Sequence, residues 1–343
     1  MKKSKVSITD IASQLKISTT TVSFILNGKA KEKRISDELT EKVLKLVEKV
    51  GYKPNHFAQT LRTGKTNIIG LMVEDISDPF FASLAKHIED VALQRGYKIL
   101  YCSTENGKKR AQEFLRMFDQ LGVDGYIVTP PAGIEDDLSA LIDNGKEIIL
   151  FDRYFKKVAA DYVITDNSQS AYAGVEHLVK QGYKKIAFVT LSSRLPQMTG
   201  RLAGYERAMR NHALPAVVHK LTYSASRAEY IKNITDIVKQ DPSIDAILFS
   251  TGSLGLSGVE ALTHLDVNIP DQIGVISYDD PDLFRINRPT ITAIAQPIEQ
   301  LAQALITRLL DKIAEPSKKN RKEKQETIIP ATLIPRESSR KKA

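Results

Sequence analysis

Residues 6–28 read VSITDIASQLKISTTTVSFILNG. Ser7 can cap a helix, with Asp10 at the third helical position completing a capping-box-like pair. Ile8, Ile11, Ala12 and Leu15 follow at helical spacing. Lys16-Ile17 makes a turn, and Ser18 is a second N-cap. The next helix, about 19–26, buries Val22, Ile25 and Leu26, and Asn27-Gly28 ends it because glycine accepts the left-handed conformation beyond a helix end. A third helix starts near Ser36, carries Leu39, Val43, Leu46, Val47 and Val50, and stops at Gly51. Two short helices joined by a tight turn, then a longer third, form a helix-turn-helix pattern. The second helix opens with Thr19, Thr20 and Thr21, then Ser23. Short hydroxyl side chains there can bond phosphates or base edges, and threonine methyls can touch thymine methyls. A hydroxyl at a helix start is also a plain cap, which is the reading for Ser18. Thr19 and Thr20 point away from the three-helix core and read as DNA contacts.

The charge distribution agrees. The chain has 343 residues and a net charge of +8. Residues 1–65 hold 14 Lys/Arg against 6 Asp/Glu, residues 66–315 hold 26 against 32, and residues 316–343 hold 9 against 3. A basic module on a mildly acidic body suggests contact with a polyanion, nucleic acid first. The last block reads as a solvated loop, SKKNRKEKQE, and a frayed terminus, RESSRKKA. With 42% hydrophobic and 26% charged residues, the composition is that of a folded chain of two or three domains. No apolar run reaches the length of a membrane span, and the N-terminus reads as no secretory signal. Cys102 is the only cysteine, so a disulfide framework and a cysteine zinc site are excluded and a reducing cytoplasm fits.

Beyond Gly51, Pro54 breaks the third helix and Asn55 can cap a short new one. So short a helix is not stable alone and would fold only against something else. Ala58 and Leu61 share one face of it. The small residue permits close approach of a partner helix, and the leucine could wedge between base steps in a minor groove. From residue 67 the pattern alternates. Apolar runs NIIGLMV (67–73), YKILYC (97–102), GYIVT (125–129), EIILF (147–151), YVIT (162–165), KIAFVT (185–190), AILFS (246–250) and IGVISY (273–278) are separated by amphipathic helical segments. Strands spaced by helices mean βαβ units and parallel sheets covered on both faces. The length favours two sheets over one. Ligands of such sheets bind beyond the carboxyl ends of the strands, which directs attention to 75–81, Asp152-Arg153-Tyr154, 192–201, 250–253 and Asp279-Asp280.

The order VSITDIASQLKISTTTVSFILNG, RISDELTEKVLKLVEKVGYKPN and AQTLRTGKT resembles the lactose-repressor/galactose-repressor (LacI/GalR) family of bacterial transcription factors. The body resembles that family's periplasmic-binding-protein-like core through DPFF (78–81), FDR (151–153), VEHLVKQGYKKIAFV (175–189), RLAGY (201–205), ISYDD (276–280) and TAIAQPI (292–298). The resemblance implies an α/β protein: an all-α helix-turn-helix headpiece with a hinge helix, then a two-subdomain core with parallel sheets. Implied boundaries are 1–54 for the DNA-binding domain, 55–65 for the hinge, 66–164 plus 292–326 and 165–291 plus 327–336 for the two subdomains, and 337–343 for a disordered basic tail. Implied DNA contacts are Ser18, Thr19, Thr20, Thr21, Ser23, Asn27, Asn55, Ala58 and Leu61, the last as the intercalating leucine. Implied effector contacts are Phe80, Phe81, Asp152, Arg201, Thr251, Asp279 and Gln296, an aromatic wall with carboxylates and a guanidinium suited to vicinal hydroxyls. The implied partners are near-palindromic duplex DNA, a small carbohydrate-like effector and a second copy of the chain, with no cofactor and no membrane. Two departures stand out. The family usually has Arg where this chain has Phe24, and Asn-Asp where it has Thr251-Gly252.

An enzyme and an exported solute receptor are the competing readings. The six histidines (56, 87, 177, 212, 219, 264) show no metal-ligand spacing. No nucleotide-binding motif and no GxSxG elbow occurs. Cys102 lies in an apolar strand and reads as core. An exported receptor would have no use for the basic head.

Overall fold

The structure, a computed structural model, describes residues 6–52, 64–223, 226–314 and 324–340. They form two units, divided at Thr66. The hinge-helix expectation, with Asn55, Ala58 and Leu61, lies outside the described residues.

The first unit has three helices: α1 (Ile8–Gln14), α2 (Thr19–Leu26) and α3 (Asp37–Val50). Each starts on a serine cap. Ser7 and Asp10 form a reciprocal capping box, while the Ser18 and Ser36 hydroxyls accept from the Thr21 and Leu39 amides. Gly51 follows α3 with φ +63°, a left-handed turn that an L-residue with a Cβ would strain. Ile11, Ala12, Val22, Ile25, Val43 and Leu46 meet in one small core.

The second unit contains two six-stranded sheets. The first is built from β1 (Ile68–Val73), β2 (Lys98–Ser103), β3 (Gly125–Val128), β4 (Ile148–Phe151), β5 (Asp161–Thr165) and β11 (Glu326–Ile329). Its order is β11-β5-β4-β3-β1-β2, and every pair is parallel. The second takes β6 (Ile186–Leu191), β7 (Val217–Leu221), β8 (Ala246–Phe249), β9 (Gly274–Tyr278), β10 (Thr292–Ala295) and β12 (Thr332–Ile334) in the order β12-β10-β9-β8-β6-β7. Only β12 runs antiparallel to its neighbour. Around the first sheet lie α4 (Pro79–Gln94), α5 (Lys108–Leu121) and α6 (Glu135–Asp143). Around the second lie α7 (Asn167–Lys180), α8 (Pro196–Asn211), α9 (Arg227–Gln240), α10 (Gly252–His264) and the short α11 (Asp282–Ile286). Helix α12 (Ile298–Ala314) returns to the first sheet, where Leu301, Leu305 and Leu309 pack against β-strand residues such as Ile69 and Ile127.

Three of the expected boundaries need correction. The run TAIA (292–295) is still part of the second sheet, paired with β9. The crossing falls one step later at Gln296-Pro297, because proline has no N–H to continue a ladder. Residues 327–329 belong to the first sheet through β11 and β5, and the chain crosses a third time at Pro330. The segment 337–339 is not a disordered tail but a 3-10 turn with Ser338 and Ser339 buried. Ser338 Oγ donates to the Val275 carbonyl at 2.6 Å and accepts from the Thr292 amide at 2.8 Å, so burial leaves no polar group unsatisfied there. The crossings are tied to one another: the Ala331 amide donates to Asp166 Oδ1 at 2.8 Å, and Thr165 Oγ1 donates to Gln296 Oε1 at 3.2 Å.

Candidate functional site

Both sheets end in the same way. The residue after β4 is Asp152, with φ +65°, and the residue after β9 is Asp279, with φ +63°. Aspartate tolerates this left-handed conformation better than most residues. The Asp152 amide donates to the Val163 carbonyl of β5 and the Asp279 amide to the Ile294 carbonyl of β10. Each turn thereby aims a carboxylate off the end of its sheet, where βαβ geometry leaves a crevice. The crevice is a cleft of about 780 Å³, lined from the first sheet by Glu74, Asp78, Phe80, Phe81, Asp152 and Arg153 and from the second by Gln197, Arg201, Thr251 and Asp279. That volume suits a small metabolite.

Arg201 reaches the cleft because α7 and α8 lie unusually close. A Cβ on Gly204 would stand 2.1 Å from the Ser168 carbonyl oxygen, so only glycine permits the approach. Arg201 is 2% exposed. Its Nε donates to Asn167 Oδ1 at 2.8 Å, its Nη1 to the Ser250 carbonyl at 2.7 Å, and its guanidinium stacks 3.7 Å from the Tyr278 ring. The Tyr278 hydroxyl is itself bonded to Ser170. Asp279 is equally occupied, accepting from the Gly252 amide at 3.0 Å and from Gln296 Nε2 at 2.7 Å. Gln296 bridges Asp279 to Thr165 across the crossings, so it clamps the two layers as well as lining the cleft. Thr251 caps α10 through the Leu254 amide at 3.2 Å. Phe80 and Phe81 are buried edge to face with centroids 5.1 Å apart, and Phe80 stacks on Phe151 at 5.9 Å. They are core residues that also present surface to the cleft.

Three cleft residues are not among the expected contacts. Arg153 is 1% exposed; its Nη2 donates to Glu74 Oε2 at 2.6 Å, while Nε and Nη1 have no hydrogen-bond partner. Gln197, on the first turn of α8, is buried with Oε1 unpartnered. Asp78 caps α4 through the Phe80 amide and accepts from Ser253 Oγ at 2.8 Å, linking the two layers. Burial pushes its carboxyl up to about 6, with help from the nearby Asp279 charge. Burial likewise pushes Asp152 up to about 6, against the Arg153 and Arg201 charges that pull it down. Arg153 was legible as the charged residue that follows the apolar strand in FDR. Gln197 falls within the strand-end stretch 192–201, but nothing in its irregular polar surroundings after Pro196 marks it individually.

In the first unit, Thr19 and Thr20 are exposed. Ser18 Oγ accepts from the Thr21 amide at 3.0 Å and shares a bond with Thr21 Oγ1 at 2.9 Å, so both hydroxyls serve the cap. Asn27 turns its Nδ2 back onto the Ser23 carbonyl at 2.7 Å. Lys29, Lys31, Lys33 and Arg34 follow in an exposed turn with one acidic residue, Glu32. Among the described residues no group of His, Cys, Asp and Glu could hold a metal ion, and Cys102 is buried with its thiol pushed up to about 11 by desolvation. No helix among them is long and apolar enough to cross a membrane.

A capped helix-turn-helix unit, followed in the chain by a core whose two sheets share a polar cleft, defines a ligand-responsive DNA-binding protein. Comparison with known proteins agrees. Residues 7–55 match the family model of bacterial regulatory proteins of the lacI family, and residues 175–339 match that of the periplasmic binding protein-like domain. The chain is 28% identical to the HTH-type transcriptional regulator DegA of Bacillus subtilis over 98% of both chains. Among solved structures, a LacI family transcriptional regulator from Enterococcus faecium with bound ribose is 26% identical, with TM-score 0.71 over 80% of this chain and 99% of that one. The lac repressor dimer bound to operator shares the fold, with TM-score 0.85 over 98% of this chain and all of that one at 20% identity. This chain belongs to the LacI/GalR family and is a DNA-binding transcriptional regulator under effector control, not an enzyme.

Proposed function

We propose that the chain acts in the cytoplasm as a two-fold dimer, a repressor whose operator affinity is set by an uncharged sugar or related polyol bound in the cleft. The observation that carries this is the pair of unpartnered nitrogens on Arg153, a buried cation facing a cleft of metabolite size. A buried donor without a partner costs about 1–3 kcal/mol, and ligand oxygens between the walls would satisfy both. Arg201 and Asp279 then contribute preset groups from the second wall, Asp152 accepts hydrogen bonds from ligand hydroxyls, and Phe80 and Phe81 pack on the ring face. Thr251 leaves a small corner, so the effector need not be the sugar of any relative. Ribose in the Enterococcus faecium regulator makes a pentose the first candidate.

On the DNA side, Thr19 and Thr20 lie in the major groove and the basic turn meets phosphates. The segment 55–62 forms a hinge helix on operator, with Asn55 and Ala58 at its contacts and Leu61 between base steps. Effector that binds one setting of the two layers better than another shifts the population toward it, and operator affinity follows. A panel of pentoses, hexoses and polyols is screened against the full chain by thermal shift, since a ligand of the native state raises its melting temperature. Hits are then titrated into a DNA-binding assay at two salt concentrations. The expected result is one stabilising sugar that alters a steeply salt-dependent affinity. If no sugar or polyol stabilises the chain, or if a stabilising one leaves DNA affinity unchanged, the proposal is wrong.

A further inference from the structure

We infer that Phe24 is a base-reading residue that recognises the C5-methyl group of a thymine in the operator major groove. The inference rests on the DNA-binding reading above and names a partner group for this chain's own departure from its family. On α2, Val22 and Ile25 are buried in the three-helix core. At helical spacing, Thr20, Ser23, Phe24 and Asn27 fall on the opposite face, and on it Phe24 is the one large apolar side chain. Its ring is only partly buried. Lys33 lies over it, with its ammonium 5.4 Å from the ring centroid. The chain reaches that position through a compact turn in which the Lys29 amide donates to the Phe24 carbonyl at 2.9 Å and the Lys33 amide to the Lys29 carbonyl at 3.0 Å.

A phenylalanine on the solvent face of an eight-residue helix contributes nothing to the core of this unit. Its surroundings say what covers it. Exposed Lys29 and Lys33 adjoin it, exposed Lys31 and Arg34 belong to the same turn, and the exposed Thr20 lies one turn before it, so the complement is a polyanion that carries a small apolar group. The thymine methyl is the apolar group that base pairs display in the major groove. Removing a partner's methyl from a fully covered contact costs about fourfold in affinity per half-site and about tenfold or more for two.

The test begins with selection of duplex sites from a random pool by the full-length protein. Each thymine of the selected site is then replaced singly by deoxyuridine, which removes only the methyl, and binding is measured for the wild type, Phe24→Ala and Phe24→Arg. The wild type should lose about fourfold at one thymine per half-site. That penalty should vanish in Phe24→Ala, a double-mutant cycle that removes effects of uracil on the duplex itself. Phe24→Arg should still select a site, with guanine enriched at the same position; this also shows that the variant folds. Methyl penalties that persist undiminished in Phe24→Ala, or a selected base that is the same in all three proteins, would overturn the inference while leaving the DNA-binding reading intact. A pool that yields no site for the wild type would overturn both.

Discussion

The ends of the two sheets are built alike and equipped differently. After β9, Asp279 accepts from Gly252 and Gln296, and Arg201 beside it is engaged by Asn167, Ser250 and the Tyr278 ring. After β4, the corresponding Asp152 has the Arg153 Nε at 3.8 Å, and Arg153 leaves two nitrogens without partners. One wall of the cleft is thus a finished polar network, and the other holds an arginine that is ion-paired with Glu74 but keeps two buried N–H groups without a hydrogen-bond partner. Gln197, with its unpartnered oxygen, is the exception on the finished side. A satisfied network rigidifies its surroundings, whereas an unpaired buried polar group costs stability that a ligand able to pair with it would restore. Substitution should therefore separate folding from binding along the line between the walls.

The largest effect is expected at Arg201. Arg201→Met leaves the Asn167 and Ser250 oxygens buried without a donor, at about 1–3 kcal/mol each. The ligand-free melting temperature should fall by several degrees, and a chemical denaturation midpoint should fall with it. An unchanged midpoint would break the claim that this wall is structural. Arg153→Met should do the reverse. Two charge-assisted bonds to ligand are lost, so effector affinity should drop about a hundredfold by calorimetry, with a smaller effect on the ligand-free midpoint than at Arg201. Retained affinity would put the ligand elsewhere. The smallest effect concerns Asp78, held up to about 6 by burial and Asp279. Between the ordinary carboxylate range near 4 and about 6, the native chain binds a proton that the unfolded chain releases. This group's contribution to stability is therefore complete below about pH 4 and is lost as pH rises through 6. Asp78→Asn keeps the helix cap and cannot ionise, so its melting temperature relative to wild type should rise between pH 5 and pH 7.5. A constant difference across that range would mean that the Asp78 carboxyl ionises as an exposed one does.

Much of this was legible locally. Serine caps, a glycine stop and 3.6-residue spacing specify the three helices of the first unit, because each signal acts within a single turn. Continuous apolar runs bounded by turns gave the strands β1 to β6, β8 and β9. The edge strands β11 and β12 went unread: they are short and only partly buried, and their partners lie more than 35 residues away in the chain. The buried 3-10 segment reads locally as a tail for the same reason, since its hydroxyls are satisfied by the distant Val275, Thr292 and His177.

The order of residues by itself determined the helix-turn-helix head, the paired βαβ layers and the strand ends at which a cleft must lie, since all three follow from periodicity, caps and strand polarity. Tertiary structure alone decided which polar groups in that cleft are satisfied and which are not. Hydrogen-bond satisfaction depends on atoms brought together from distant parts of the chain. The same two residue types, aspartate and arginine, are hydrogen-bonded by protein groups at one sheet end, while at the other Arg153 pairs with Glu74 and keeps two nitrogens without a hydrogen-bond partner.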